Sequence, residues 1–190
     1  MTSSALLVMD VQRDVVDLAD DGSGYLPRLR GAIDGARAAG VPVVYVVMGL
    51  RPGDPEVSTR SKVMANVLRA GLFTEGAPGS EIHPDIAPRA GDVVVTKRRG
   101  SAFSGSDLDL VLRARDIDSL VLTGIATSAV VLSTLWRAVD LDLGGVLSIT
   151  PGSRRLVPHL AALSSVPDAP HRLPPPPCDA RHQTPLPHPA

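Results

Sequence analysis

The chain has 190 residues, 44% of them hydrophobic and 21% charged, with a formal net charge of −1. That balance fits one globular domain with a proper core and gives no electrostatic case for nucleic acid or an acidic membrane surface. Two Phe, two Tyr and one Trp are too few for base stacking, and the single cysteine, Cys178, excludes an internal disulfide framework and a cysteine-based zinc site.

The start, MTSSALLVMDVQRD, has no basic segment and reaches Asp10 after a few apolar residues, so it reads as a first strand and not as a signal peptide. No apolar run is long enough to span a bilayer, and a cytoplasmic protein is expected. Residues 5–9 form a short apolar run, as a buried parallel strand does. Residues 12–24 carry Asp14, Asp17, Asp20 and Asp21 and read as a loop. Leu26, Leu29, Ile33 and Ala36 recur near helical spacing, with Pro27 in the first turn and Gly40 as the stop. The run VPVVYVVM at 41–48 is β-branched and apolar throughout, the clearest strand of the chain.

After the Gly/Pro break at 49–55, residues 58–70 are expected to hold a helix with Val63, Val67 and Ala70 on one face. The long Gly/Pro-marked connection over 71–90 has the length of a functional loop. DVVVT at 92–96 is a third strand running into Lys97, and 107–113 a short helix capped by Ser106. Residues 119–123 make a fourth strand, 128–140 the helix after it, and 145–149 a fifth strand. Strands alternating with helices over 150 residues predict an α/β fold, three layers deep, around a mostly parallel sheet of five to six strands.

In such sheets ligands bind beyond the carboxyl ends of the strands. Asp10 stands at the end of the first strand and Lys97 at the end of the third, while the turn 124–128 follows the fourth. A carboxylate, an ammonium and an amide-rich helix start would face one crevice. A carboxyl group in that place can serve as base or acid; a structural ion pair accounts for the same spacing.

Three stretches, ALLVMDVQRD, GDVVVTKRRGSAFSGSDLDLVLR and LVLTGIATSAVVLSTLWRAVD, together resemble the isochorismatase-like hydrolases, also called the cysteine hydrolase family. The resemblance runs from about residue 4 to residue 149. It implies a Rossmann-like fold assembled as a homo-oligomer, dimer or tetramer. It also implies a small-molecule substrate of the amide or vinyl-ether type and no cofactor. Asp10 and Lys97 fall on the family's catalytic Asp and Lys. The pattern G-x-x-T-x-x-C falls on Gly124, Thr127 and Val130, so Val130 occupies the nucleophile position. The resemblance implies an oxyanion-binding turn over Ile125, Ala126, Thr127 and Val130, with a non-proline cis peptide at Ile125–Ala126. Gln12 and Phe103 are expected in the substrate pocket, although an aromatic in SAFSG also suits plain core packing. The Asp-x-His metal motif of nicotinamidase-type members is replaced by MGLRPGDPEV, so no metal is expected.

Without the cysteine three readings stand. Asp10 acts as general acid in the manner of the isochorismatase branch, Thr127 or Ser128 replaces the nucleophile, or the site only binds. His83 suits a loop anchor, Arg98 and Arg99 either an anionic substrate or surface pairing, and Trp136 the core or a subunit interface.

Residues 151–190 carry 11 of the 18 prolines and four of the five histidines. They form a second region, expected to be disordered or loosely packed. The abrupt change after Ser148 motivates the hypothesis that 150–190 is an out-of-frame readout. Translation of the nucleotide sequence in the other frames tests it; if neither frame restores a helix and a strand, the idea fails.

Overall fold

The structure, a computed structural model, describes residues 3–19, 24–143 and 145–148. The region 151–190 and the change after Ser148 therefore lie outside the described residues.

Five strands form one sheet: β1 (Ser4–Met9), β2 (Val43–Met48), β3 (Val93–Lys97), β4 (Ser119–Gly124) and β5 (Gly145–Ser148). The order is β3-β2-β1-β4-β5 and every neighbouring pair is parallel. The chain winds outward from β1 to β3, then returns to the other side of β1 with β4. The carboxyl ends of β1 and β4 are thus the point where the winding reverses, the place where open α/β sheets leave a crevice.

Strands buried on both faces read as continuous apolar runs. In β1 every residue after Ser4 is buried. Leu6 and Val8 point to one face with Val43 and Tyr45 of β2 and Val121 of β4, and there they meet Leu29 and Ile33 of helix α2 (Tyr25–Ala38). Ala5, Leu7 and Met9 alternate to the other face and are 0% exposed.

The sequence reading of 12–24 as a loop is corrected over its first half, where α1 (Arg13–Ala19) forms. Asp17 is exposed and Asp14 packs against Gly79, while Val16 packs with the α2 cluster and Val15 with a second cluster made by Met48, Leu50, Met64 and Phe73. Two adjacent valines docking on two clusters outweigh the poor helix propensity of aspartate. Helix α3 (Lys62–Arg69) starts at Ser61, whose hydroxyl accepts from the Met64 N–H at 3.3 Å. Its buried face is Met64, Val67 and Leu68, not the expected Val63 face, and Val63 is 72% exposed. Helix α4 (Leu108–Ala114) has Asp107 at its cap position, and the Ser106 hydroxyl accepts from the Leu108 N–H at 3.4 Å. Helix α5 (Leu132–Asp140) buries Thr134, Leu135 and Ala138 and leaves Trp136 exposed, so Trp136 is not a core residue of this chain.

Among the described residues no helix is long and apolar enough to cross a membrane.

Candidate active site

Strand β1 ends at Met9, and Asp10 follows with φ of 54°. Strict alternation would carry Asp10 to the Leu6/Val8 face, whereas Lys97, opposite Met48, lies on the Met9 face. The left-handed backbone breaks that alternation. An L-residue there costs roughly 1–2 kcal/mol, least for Asp and Asn. The turned side chain meets the Lys97 ammonium, with Nζ 2.9 Å from Asp10 Oδ2. Both side chains are buried, Asp10 3% and Lys97 0% exposed.

Lys97 has three donors and all three are used. Besides Asp10 they reach the Arg99 carbonyl at 2.8 Å and the Gly100 carbonyl at 3.0 Å. The chain after β3 curls back beneath its own lysine. No N–H of Lys97 remains for a substrate, so its part is to hold and charge-balance the carboxyl group. Asp10 is different. Its Oδ2 takes the ammonium, while the buried Oδ1 has no hydrogen-bond partner among the described residues. Burial pushes the Asp10 carboxyl up to about 6 from 3.8, and the attraction of Lys97 offsets only part of that rise.

The third part is the turn after β4. Gly124 permits it: a Cβ at this position would lie 2.3 Å from the Met9 carbonyl oxygen. That close approach lets the Ile125 N–H donate to Met9 at 3.1 Å, seating the turn directly beside Asp10. The Ile125–Ala126 peptide is cis. A single π-turn, Thr127–Val131, leads into α5, with the Leu132 N–H reaching back five residues to Thr127. Within it the N–H groups of Ala129 and Val130 donate to the Ala126 carbonyl at 3.3 and 2.9 Å. The Ile125 and Val130 amides of the expected oxyanion turn are therefore spent on the protein's own carbonyls. The first-turn amides of Thr127 and Ser128 have no acceptor within a helix. Val130 is 7% exposed, with its apolar side chain inside the fold.

Gln12 is placed differently from the sequence expectation. It is buried, its Nε2 donates to Met48 at 2.9 Å and Ser80 at 2.7 Å, and its Oε1 accepts from the Met48 N–H at 3.0 Å. Each polar atom serves the backbone, so Gln12 clamps the end of β2 and the loop at Ser80 to the segment that follows β1. It does not present a free amide to a pocket. Phe103 is half-buried in the loop between β3 and α4, its N–H 3.4 Å from the Ser101 hydroxyl.

His83 anchors its loop: Nδ1 accepts from the Asp85 N–H at 3.2 Å, and the backbone N–H bonds Val11 at 3.0 Å. Arg98 and Arg99 both engage loops. Arg98 donates to the Gly49 carbonyl at 2.7 Å and pairs with Glu75, and Arg99 donates to the Glu56 carbonyl. They pin the loop after β2 over the end of β3.

Two hydroxyls went unnoticed in the sequence, those of Tyr25 and Thr123. They are buried near each other without reaching hydrogen-bond geometry, and burial pushes the Tyr25 phenol up to about 12. Thr123 immediately precedes the Gly124 turn, the one signal that could have marked it. Among the described residues no three His, Cys, Asp or Glu side chains are grouped as a metal would require.

The isochorismatase domain matches residues 4–147. Ureidoacrylate amidohydrolase RutB of Agrobacterium fabrum is 34% identical, the match covering 77% of this chain and 74% of that protein. RutB of Stutzerimonas stutzeri is 36% identical over 77% of this chain and 68% of its own length. Among solved structures, N-carbamoylsarcosine amidase from Thermoplasma acidophilum superimposes with a TM-score of 0.66 at 31% identity, covering 78% of this chain and 82% of that one. A cysteine hydrolase from Pseudomonas syringae pv. phaseolicola gives a TM-score of 0.70 at 26% identity, covering 77% and 70%.

Proposed function

The chain belongs to the isochorismatase family, and from that premise we propose that it hydrolyses a small amide or vinyl ether by acid–base chemistry at Asp10, without a cysteine nucleophile. The named relatives are amidohydrolases and amidases, which supports hydrolysis as the reaction class. The observation that carries the mechanism is the Asp10 carboxyl group. It is buried, held by Lys97 through one oxygen, without a hydrogen-bond partner among the described residues at the other, and raised to about 6. A group with that pKa is about one-tenth protonated at pH 7, so both its acid and base forms are accessible.

With a vinyl ether, protonated Asp10 gives its proton to the terminal carbon of the double bond. The π electron pair becomes the new C–H bond, and water adds to the resulting oxocarbenium carbon. The Asp10 carboxylate takes the proton released by that water, and the hemiketal collapses to a ketone and an alcohol. With an amide, the Asp10 carboxylate instead deprotonates the attacking water, then passes the proton to the leaving nitrogen. The Thr127 and Ser128 amides stabilise the oxyanion. Lys97 keeps Asp10 in place and does not touch the substrate.

In the family pattern Val130 fills the position of the cysteine, and valine forms no thioester. This favours a second reading, a binding protein on the same fold that has lost turnover. A panel of small amides and vinyl ethers separates the two. Turnover by the wild type that disappears in Asp10→Asn, with folding intact, supports the hydrolase. No turnover on either class supports the binder. Under the hydrolase reading Val130→Cys gains amidase activity blocked by thiol alkylation.

We also propose a homo-oligomer, with the exposed Trp136 and Val139 of α5 in its interface. Sedimentation of Trp136→Ser should then show smaller particles than the wild type; identical sedimentation removes α5 from the interface.

A further inference from the structure

The two halves of the site come from separate segments. Asp10 follows β1 and Lys97 ends β3, whereas the amide turn joins β4 to α5. Hydrolysis needs both halves aligned to a fraction of an ångström, and a set of contacts between the loop 98–106 and the start of α5 provides for that.

Thr134 is 0% exposed. Its hydroxyl donates to the Val130 carbonyl at 2.7 Å and accepts from the Ala102 N–H at 2.9 Å. Beside it, the Ser133 hydroxyl lies 2.5 Å from the Ala129 carbonyl and 3.1 Å from that of Val130. The π-turn takes carbonyls out of the ordinary helical ladder, and these two hydroxyls reach them. A threonine bonding back to its own helix is common and by itself only structural. The bond from Ala102, 32 residues away in sequence, is not local. Gly100 completes the contact. A Cβ there would lie 3.4 Å from the Ala129 carbonyl oxygen and 3.7 Å from Ser133 Oγ, so the loop backbone rests on the turn. The carbonyl of the same Gly100 accepts from Lys97.

We propose that Thr134 is a positioning residue: with Ser133 and Gly100 it braces the loop that holds the Lys97 ammonium against the turn that holds Val130. The inference rests on the hydrolase reading for its purpose, but not for its test. Its β-branched side chain has few rotamers, which keeps one hydroxyl aimed at two partners. Loosening the brace frees the Arg99 and Gly100 carbonyls from Lys97 and admits water to the ammonium.

The chain contains only two lysines, and the other, Lys62, is exposed. Ammonium spectra of the full chain labelled with 15N-lysine therefore report Lys97 cleanly. In Thr134→Val, hydrogen exchange at Lys97 Nζ should quicken about tenfold, and in Thr134→Ser it should stay within about twofold of wild type. Ile33→Val, which weakens the core under α2, is the comparison at equal thermal stability. If Thr134→Val does not fold, Ser133→Ala, at a half-buried position, decides the matter through a smaller increase of the same sign. Exchange in the decisive variant as slow as in wild type, or no faster than in Ile33→Val, overturns the proposal. Absence of turnover on every substrate, with the expected exchange pattern, defeats the hydrolase reading and leaves the brace standing. Where turnover is found, Thr134→Val should lower kcat with KM little changed, since binding contacts remain while alignment is lost.

Discussion

Replacing Lys97 by Met keeps most of the buried stem and removes the ammonium. In the wild type, burial raises Asp10 and Lys97 holds the rise to about 6. The variant loses both pulls from Lys97, so the folded-state pKa moves above 6 while the unfolded value stays near 3.8. A carboxyl group raised on folding contributes stability that is complete at low pH and lost as pH climbs through the folded pKa. In the wild type that loss, about 3 kcal/mol for a shift of about two units, is over once pH passes the Asp10 pKa. In Lys97→Met it continues at about 1.4 kcal/mol per pH unit until the new, higher pKa is reached. Between about pH 6.5 and pH 8 the variant should therefore lose up to about 2 kcal/mol more than the wild type. The ceiling is the roughly 3–5 kcal/mol cost of an uncompensated buried charge. Urea unfolding of both proteins at about pH 5, 6.5 and 8 measures the difference. Above about pH 6.5 the double variant Asp10→Asn/Lys97→Met should run parallel to the wild type, because it removes the group that titrates. Parallel profiles for wild type and Lys97→Met alone would refute the reasoning.

Two further substitutions probe the frame around the pair. Gly124→Ala places a methyl group on the Met9 carbonyl, which must move and lose the bond from Ile125; thermal unfolding should show a loss of about 2 kcal/mol or more, and an unchanged melting temperature contradicts the close approach. Gln12→Leu leaves the Met48 N–H and the Met48 and Ser80 carbonyls without their partner. At about 1–3 kcal/mol for each buried group left unsatisfied, it should destabilise the fold well beyond a surface change. A stability within about 0.5 kcal/mol of wild type would return Gln12 to the pocket wall.

The strands were legible because burial on both sheet faces writes itself as β-branched apolar runs, as in VPVVYVVM. Asp10 and Lys97 were legible for the complementary reason, as charges at the ends of such runs. What the sequence hides is partner choice. Gln12 has the composition of a pocket residue, yet its acceptors are Met48 and Ser80, 36 and 68 positions away. Helix α1 is masked by its aspartates, since the two valines that hold it report their docking only when both clusters exist. The saturation of Lys97 depends on how the chain after it curls, and that depends on Ala102 finding Thr134. Hydrophobic periodicity reports which faces are buried; it carries no information about which carbonyl a buried donor meets.

Under the proposed mechanism Asp10 gains and loses a proton near neutrality beside the turn after β4. The direct measurement is a 13C titration of the Asp10 side-chain carboxyl in the full chain, identified by its absence in Asp10→Asn. A midpoint near 6, moving upward in Lys97→Met, is the expected result. A midpoint at or below the ordinary 3.8 would contradict the account, because a carboxyl group that stays ionised at every working pH has no proton to give.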